Sequence, residues 1–303
     1  MKRKILLLLI ITATLVAFWG CQQSQEPQKQ ADNQIVAVPV SHIPFDNPRQ
    51  INFSKAHPAT IKLLPQNIVA PILKTATITT MTVRAVFDEN WLALQMEWED
   101  PTRNAVVDVD QFTDQVAIQF PLDPHNPPSF MMGHKGGQVH IIHWKAIWQD
   151  DIEKGYRDVQ TLHPNYWVDM YFFVDQPVFA EGELPKEPSI QHFQTTEAKR
   201  YMPGIFTRNP VSLINRTTPV EEAMAQGFGT FTTQPRQNAN GWGVWQNNRW
   251  KVVIVRPLVS EDVNDAPIPA ETVVAFAVWD GGSQNIGSRK SYTPWIKLVR
   301  QLP

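Results

Sequence analysis

The sequence predicts an all-β domain, a β-sandwich with a few short helices and long loops, and three observations carry that expectation. Residues 75–98 form two alternating apolar–polar runs on either side of Asp88-Glu89-Asn90, the pattern of a β-hairpin. Six further short runs rich in β-branched and aromatic residues follow, separated by turn residues, with little helical periodicity among them. Of the 303 residues, 25 are proline and 11 are tryptophan, and ten of those tryptophans lie after residue 20. Such a composition suits aromatic-rich strands joined by ordered loops.

Taken in order, the chain begins with Lys2, Arg3 and Lys4, an apolar run over residues 5–19, then Gly20 and Cys21. A basic start, a short apolar stretch and a small residue before cysteine predict a lipoprotein signal peptide over 1–20, cleaved so that Cys21 carries lipid. The apolar run is short for a membrane span. Residues 21–34 are polar and read as a flexible tether from the lipidated Cys21. The folded domain is then expected over 35–303.

Within it, residues 61–64 and 68–70 are flanked by prolines and suit edge strands or loops. The hairpin of 75–87 and 91–98 follows. Strands are expected at 115–120, closed by Pro121, and at 139–144. Residues 180–211 are poor in pattern and read as an insertion. Residues 220–226 read as one short helix. Further strands are expected at 230–233, 249–256, 272–279 and 291–298, with Gly281-Gly282 as a turn.

Composition excludes several functions. Cys21 is the single cysteine, so disulfides, thiolate-held iron–sulfur clusters and covalent c-type haem are ruled out. Without Lys2, Arg3 and Lys4, 24 basic residues face 29 acidic ones, and no nucleic-acid partner is expected of such a surface. No serine-protease triad, phosphate-binding loop or zinc signature is present. Glu99, Asp100 and Asp114 read as carboxylates at strand ends and turns rather than catalytic groups.

Two distant segments stand out. Pro128-Ser129-Phe130-Met131-Met132-Gly133-His134 puts a methionine pair in a loop, just ahead of His140, His143 and Trp144. Gly287-Ser288-Arg289-Lys290-Ser291 puts adjacent cations before the last strand. On residue type alone the blander readings are the stronger: methionine filling a gap, and a solvated basic loop. His140 and His143, three apart in a strand, should face opposite sides.

Several blocks together resemble the haem-b-binding γ subunits of the ethylbenzene dehydrogenase group. They are VRAVFDENWLALQMEWED (83–100), DQVAIQFP (114–121), PSFMMGHKGGQVHIIHWKA (128–146), EEAMAQGFGT (221–230), NGWGVWQNNRWKVVIVRPL (240–258), VVAFAVWDGG (273–282) and GSRKSYTPWIKL (287–298). That group comprises periplasmic molybdenum enzymes of the dimethyl-sulfoxide-reductase type, with dimethylsulfide dehydrogenase, selenate reductase and chlorate reductase among the relatives. The resemblance implies one non-covalent haem b in a β-sandwich with methionine and lysine as axial iron ligands. By motif position these are Met132, just before Gly133, and Lys290. Met131, His134 and His140 are the rival ligands. Arg289 is expected to pair with a propionate, and His143 and Trp144 to border the pocket.

A haem ligated on both faces transfers electrons rather than catalysing, so the chain is expected not to be an enzyme by itself. The implied partners are a molybdenum-enzyme catalytic subunit and an iron–sulfur subunit. Typical members are soluble periplasmic subunits, whereas Cys21 adds an expected anchor in the lipid bilayer, on the periplasmic or other extracytoplasmic face. The alternative is a haem-free carbohydrate-binding-like or scaffold module on the same sandwich, with tryptophans stacking on sugar rings.

Overall fold

A computed structural model describes residues 34–157, 159–163, 204, 207, 209 and 212–301, all within one compact unit, Ala31–Pro303. Cys21, the tether up to residue 33 and nearly all of the 180–211 excursion lie outside the described residues.

The strands are β1 (Gln34–Pro39), β2 (Ala59–Lys62), β3 (Leu64–Pro65), β4 (Thr80–Phe87), β5 (Trp91–Glu99), β6 (Gln115–Pro121), β7 (Val139–Lys145), β8 (Val220–Ala225), β9 (Thr232–Thr233), β10 (Asn240–Trp245), β11 (Arg249–Pro257), β12 (Glu271–Trp279), β13 (Ser291–Tyr292) and β14 (Ile296–Arg300). They follow one hydrogen-bonded path, β10-β11-β5-β4-β1-β14-β12-β6-β7-β8-β9, with β2 on β4 and with β13 between β12 and β3. The path folds over at β12. Its first residues, Glu271–Val274, pair with β14, and Ala275–Trp279 pair with β6. One strand therefore belongs to both layers of a β-sandwich.

The core lies between the layers. Val83, Leu94 and Val252 from one layer and Ile118, Ile142 and Val278 from the other join a single cluster. Trp144 meets Trp250 edge-on at 4.9 Å, and Trp98 lies 6.4 Å from Trp250. A buried tryptophan removes roughly 150–250 Å² from water, about 4–6 kcal/mol each at the usual transfer coefficient. Three of them at the centre help a chain with no disulfide to hold its fold.

The expected hairpin is β4–β5, antiparallel, with Phe87 opposite Leu92. Two expectations from the sequence are corrected. Residues 220–225 form strand β8, not a helix. Glu, Ala and Met favour helix, but β8 is paired on both sides, and Glu221 and Glu222 find partners on opposite faces. The final strand is two pieces, because Pro294 has no N–H for a ladder; β13 pairs with β12 and β3, and β14 with β12 and β1. β1 itself runs parallel to both its neighbours, β14 and β4. The longest helix among the described residues, Ala146–Lys154, follows β7 directly.

Candidate functional site

The outer face of the second layer is unusually small-sided. Strand alternation sends Ala117 of β6, Ile141 and His143 of β7, Ala223 and Ala225 of β8, and Ala275 and Ala277 of β12 to the same side, and the cross-strand pairs Ala277–Ala117, Ala117–His143 and Ile141–Ala223 place them in rows. Ala117, Val139, Ile141, Ala225 and Trp279 form a separate apolar cluster here, with Met132 and Trp295 packed against it.

Met132 arrives on the loop between β6 and β7. Its backbone is left-handed, φ 64°, and Gly133 follows at φ 76°. A side chain other than glycine rarely adopts this region, and the cost of about 1–3 kcal/mol is characteristic of sites that aim a functional group. Gly133 is required by space as well: a Cβ there would stand 2.4 Å from the Gly137 carbonyl oxygen. The loop is fastened on several sides. Gly133 N donates to Ser129 O (2.8 Å), Gly227 N to Met132 O (2.7 Å), Gln119 Nε2 to Phe130 O (3.0 Å) and Trp295 Nε1 to Pro128 O (2.7 Å).

Lys290 arrives on the segment between β12 and β13. Its ammonium sits 5.0 Å above the Trp279 ring, and Trp279 Nε1 donates to Gly287 O on that same segment (2.9 Å). Buried Gln66 braces it from outside, donating from its backbone to Lys290 O (2.9 Å) and from Nε2 to Ser288 O (2.8 Å). The two segments meet directly where Phe130 stacks on Tyr292 at 6.0 Å. Lys290 keeps part of its surface exposed. Protein nevertheless surrounds the amine closely enough that desolvation pulls its pKa down to about 8.

His143 stacks on Trp279 at 4.9 Å, and its Nε2 is buried with no hydrogen-bond partner. Burial first, then the Lys145 and Lys290 ammonium groups, hold its imidazole neutral, well below the usual histidine range. Arg289 likewise has a buried Nε without a partner.

Met132, Lys290, His143 and Arg289 thus share one region. Trp144 does not join it. One residue along β7 from His143, it points into the inter-sheet core, so the expectation that it borders a cofactor is corrected by the strand's period of two. The rival His140 also lies between the layers. Ala266 N donates to its Nδ1 at 3.3 Å and Arg256 Nη1 lies 3.4 Å from it. Its Nε2 faces Glu222 Oε1 (3.3 Å) and Asp265 Oδ1 (3.7 Å). His140 is thereby turned to the carboxylates between the layers and away from the face that Met132 and Lys290 approach. His134 is exposed, with Nδ1 accepting from Ser129 N at 3.3 Å. Met131 is half-buried beside Met132. The sequence reading passed over Gln66 and the row of alanines; small residues alternating through β6, β8 and β12 were the available signal.

These groups suit a flat, apolar ligand with an anionic edge. Alanines leave room for a plane, a thioether and a depressed-pKa amine supply two donors, and an unpartnered guanidinium nitrogen supplies a charge. Phe228, Phe231 and Ile286, on the segments that hold Met132 and Lys290, are exposed apolar side chains of the kind that border ligand surfaces.

A protein-family model described as Ethylbenzene dehydrogenase matches residues 50–291. Chlorate reductase subunit gamma of Ideonella dechloratans is 23% identical over 304 residues, covering 98% of this chain and 96% of that protein. A putative respiratory nitrate reductase heme subunit, ORF7, of Haloferax mediterranei is 21% identical over 278 residues, covering 90% of this chain and 67% of that protein. Among solved structures, a family 9 carbohydrate-binding module from Caldicellulosiruptor kristjanssonii in complex with cellotriose aligns at a TM-score of 0.38 and 8% identity, covering 89% of this chain and 94% of that one. A likeness that slight bears on neither fold nor function.

Proposed function

The chain belongs to the ethylbenzene dehydrogenase family, and from that premise we propose that it is a haem b electron-transfer protein, exported and anchored through lipid on Cys21, that serves a molybdenum-containing oxidoreductase. The observation that carries the reading is the convergence of Met132, in left-handed backbone, and Lys290, over Trp279, on one alanine-floored surface. Relatives named as a gamma subunit and a heme subunit support a non-catalytic role in a larger complex.

In this reading Met132 and Lys290 would hold the haem iron, and the bound group would supply a one-electron couple. A thioether favours the reduced state and raises the potential. Lysine must be neutral to donate, and a pKa of about 8 makes the free amine far more accessible at neutral pH than on a solvated chain. The unpartnered Nε of Arg289 would donate to a haem propionate. With both Met132 and Lys290 engaged, the bound group would have no position left for a substrate and would serve electron transfer alone.

An absorbance spectrum of the purified protein, reconstituted with haem where necessary, is the test. A sharp Soret band with low-spin α and β bands, unchanged by carbon monoxide or cyanide, is expected. A protein that stays colourless after haem is offered overturns the proposal and favours the carbohydrate-binding or scaffold alternative, which binding to soluble oligosaccharides would then examine.

A further inference from the structure

One end of the sandwich, where β5 and β12 finish and β6 begins, gathers three carboxylates. Asp100 follows β5, Asp114 precedes β6 and Asp280 follows β12. Each offers an oxygen within 4.8 Å of the other two, yet they are only 1%, 0% and 9% exposed. Carboxylates so deeply buried are ordinarily paired with a cation or bound to one. Among the described residues none of the three has a Lys, Arg or His partner at ion-pair distance. The nearest arginine in the chain, Arg103, is turned to Asp150 instead.

Neutral donors fix the carboxylates without balancing their charge. Asp114 accepts from Gly281 N (2.9 Å), Asn104 N (2.7 Å) and Trp250 Nε1 (2.9 Å). Asp280 Oδ1 accepts from Ser283 N (3.0 Å), and Asp100 Oδ1 from Thr102 N (3.1 Å). Asp100 Oδ2 is buried with no hydrogen-bond partner. The Trp98 indole lies close enough to favour the charged form of Asp100, but neither its Nε1 nor Oδ2 completes a hydrogen bond. Burial first, then repulsion from Asp280, pushes Asp100 up to about 6; burial first, then repulsion from Asp100, pushes Asp114 up to about 7.

Two more oxygens face the cluster. Thr102 and Asn104 alternate with Asp100 along the chain. The point where a Cβ would stand on Gly282 is 2.7 Å from Thr102 Oγ1, 2.9 Å from Asn104 Oδ1 and 3.4 Å from Asp280 Oδ1. A side chain at Gly282 would crowd these oxygens, and Thr102 Oγ1 donates to Asn104 Oδ1 (2.7 Å) and reaches Asp100 Oδ1 at 3.4 Å, so both oxygens stand beside the carboxylates.

We propose that Asp100, Asp114 and Asp280, completed by Thr102 and Asn104, bind a calcium ion that ties together the ends of β5, β6 and β12. The donor set is oxygen alone, which selects hard cations over zinc or copper. Three carboxylates in an irregular array suit calcium, which accepts six to eight oxygens in flexible geometry. Magnesium demands a near-ideal octahedron and keeps more of its water. The ion would stand at the root of the segment that runs from Trp279 to Lys290.

The test uses the full-length protein, stripped with EDTA and titrated with terbium. Trp250, bonded to Asp114, should sensitise terbium emission. Calcium should displace the terbium, with magnesium at least about tenfold less effective. EDTA should lower the thermal midpoint by roughly 5 °C, restored by calcium. Asp280→Asn, at the edge of the cluster, should weaken calcium binding at least about tenfold and abolish the EDTA effect. No sensitised emission, together with equal midpoints in EDTA and calcium, overturns the proposal. So does an Asp100→Asn variant that raises the midpoint equally in both, because removing one of three mutually repelling carboxylates is stabilising only where no cation balances them. If Asp100→Asn does not fold, the wild-type titration and Asp280→Asn decide the question.

Discussion

Lys290→Leu should stabilise the haem-free protein while destroying its low-spin haem spectrum. The amine is pulled from 10.5 to about 8 by desolvation, and each unit of pKa corresponds to about 1.36 kcal/mol. The ceiling on the folded-state penalty is thus roughly 3 kcal/mol at pH 7. Partial exposure of Lys290 and its contact with the Trp279 ring at 5.0 Å offset part of that, leaving a net gain of about 1–2 kcal/mol for leucine. The sign follows from proton uptake. Between about pH 8 and 10.5 the unfolded chain holds a proton on Lys290 that the folded chain has released, so wild-type stability climbs across that window. Below about pH 8 both states are protonated and the penalty is fully present; above 10.5 it is gone. Urea unfolding at several pH values reads this directly: a variant more stable at pH 7, with the gap closing as pH approaches 10.5. A variant less stable than wild type at pH 7, or a gap that does not change with pH, would refute the reasoning. It would mean that the charged ammonium is held by interactions rather than strained by burial.

Three other substitutions separate the roles. Met132→Ala should turn the haem high-spin, admit carbon monoxide and lower the potential, whereas Met131→Ala should leave the spectrum intact; the reverse pattern, read by absorbance, would move the ligand by one residue. Gly133→Ala puts a methyl group against the Gly137 carbonyl at φ 76° and should cost roughly 1–3 kcal/mol in thermal or urea unfolding and lower haem occupancy. Cys21→Ala should be exported but recovered in the soluble extracytoplasmic fraction; full retention with the membrane would point to an uncleaved signal or a membrane-bound partner.

The strands were legible wherever alternation ran unbroken, as in 91–98 and 272–279, because half-buried β-structure imposes a period of two. That same period explains the misplacement of Trp144. Adjacent residues of β7 belong to different worlds, and the motif that contains both His143 and Trp144 does not say which face is which until the neighbouring strands are in register. β8 was misread because Glu, Ala and Met carry a helical propensity that two flanking strands override. Met132 and Lys290 were readable as motifs, but nothing local joins them. They are joined by β12, which pairs with β6 on one side and β13 on the other, and so hangs the Lys290 segment over the face that the Met132 loop covers. The buried carboxylates follow the same logic. Asp100, Asp114 and Asp280 each look like an ordinary turn residue beside a strand, and each makes the backbone hydrogen bonds of one. Their shared charge becomes a feature of the protein only when the β12–β6 pairing brings the end of one strand beside the start of the other. Sites assembled across strand ends in this way are invisible to local pattern, and they are where a paired reading of register and burial adds most to the sequence.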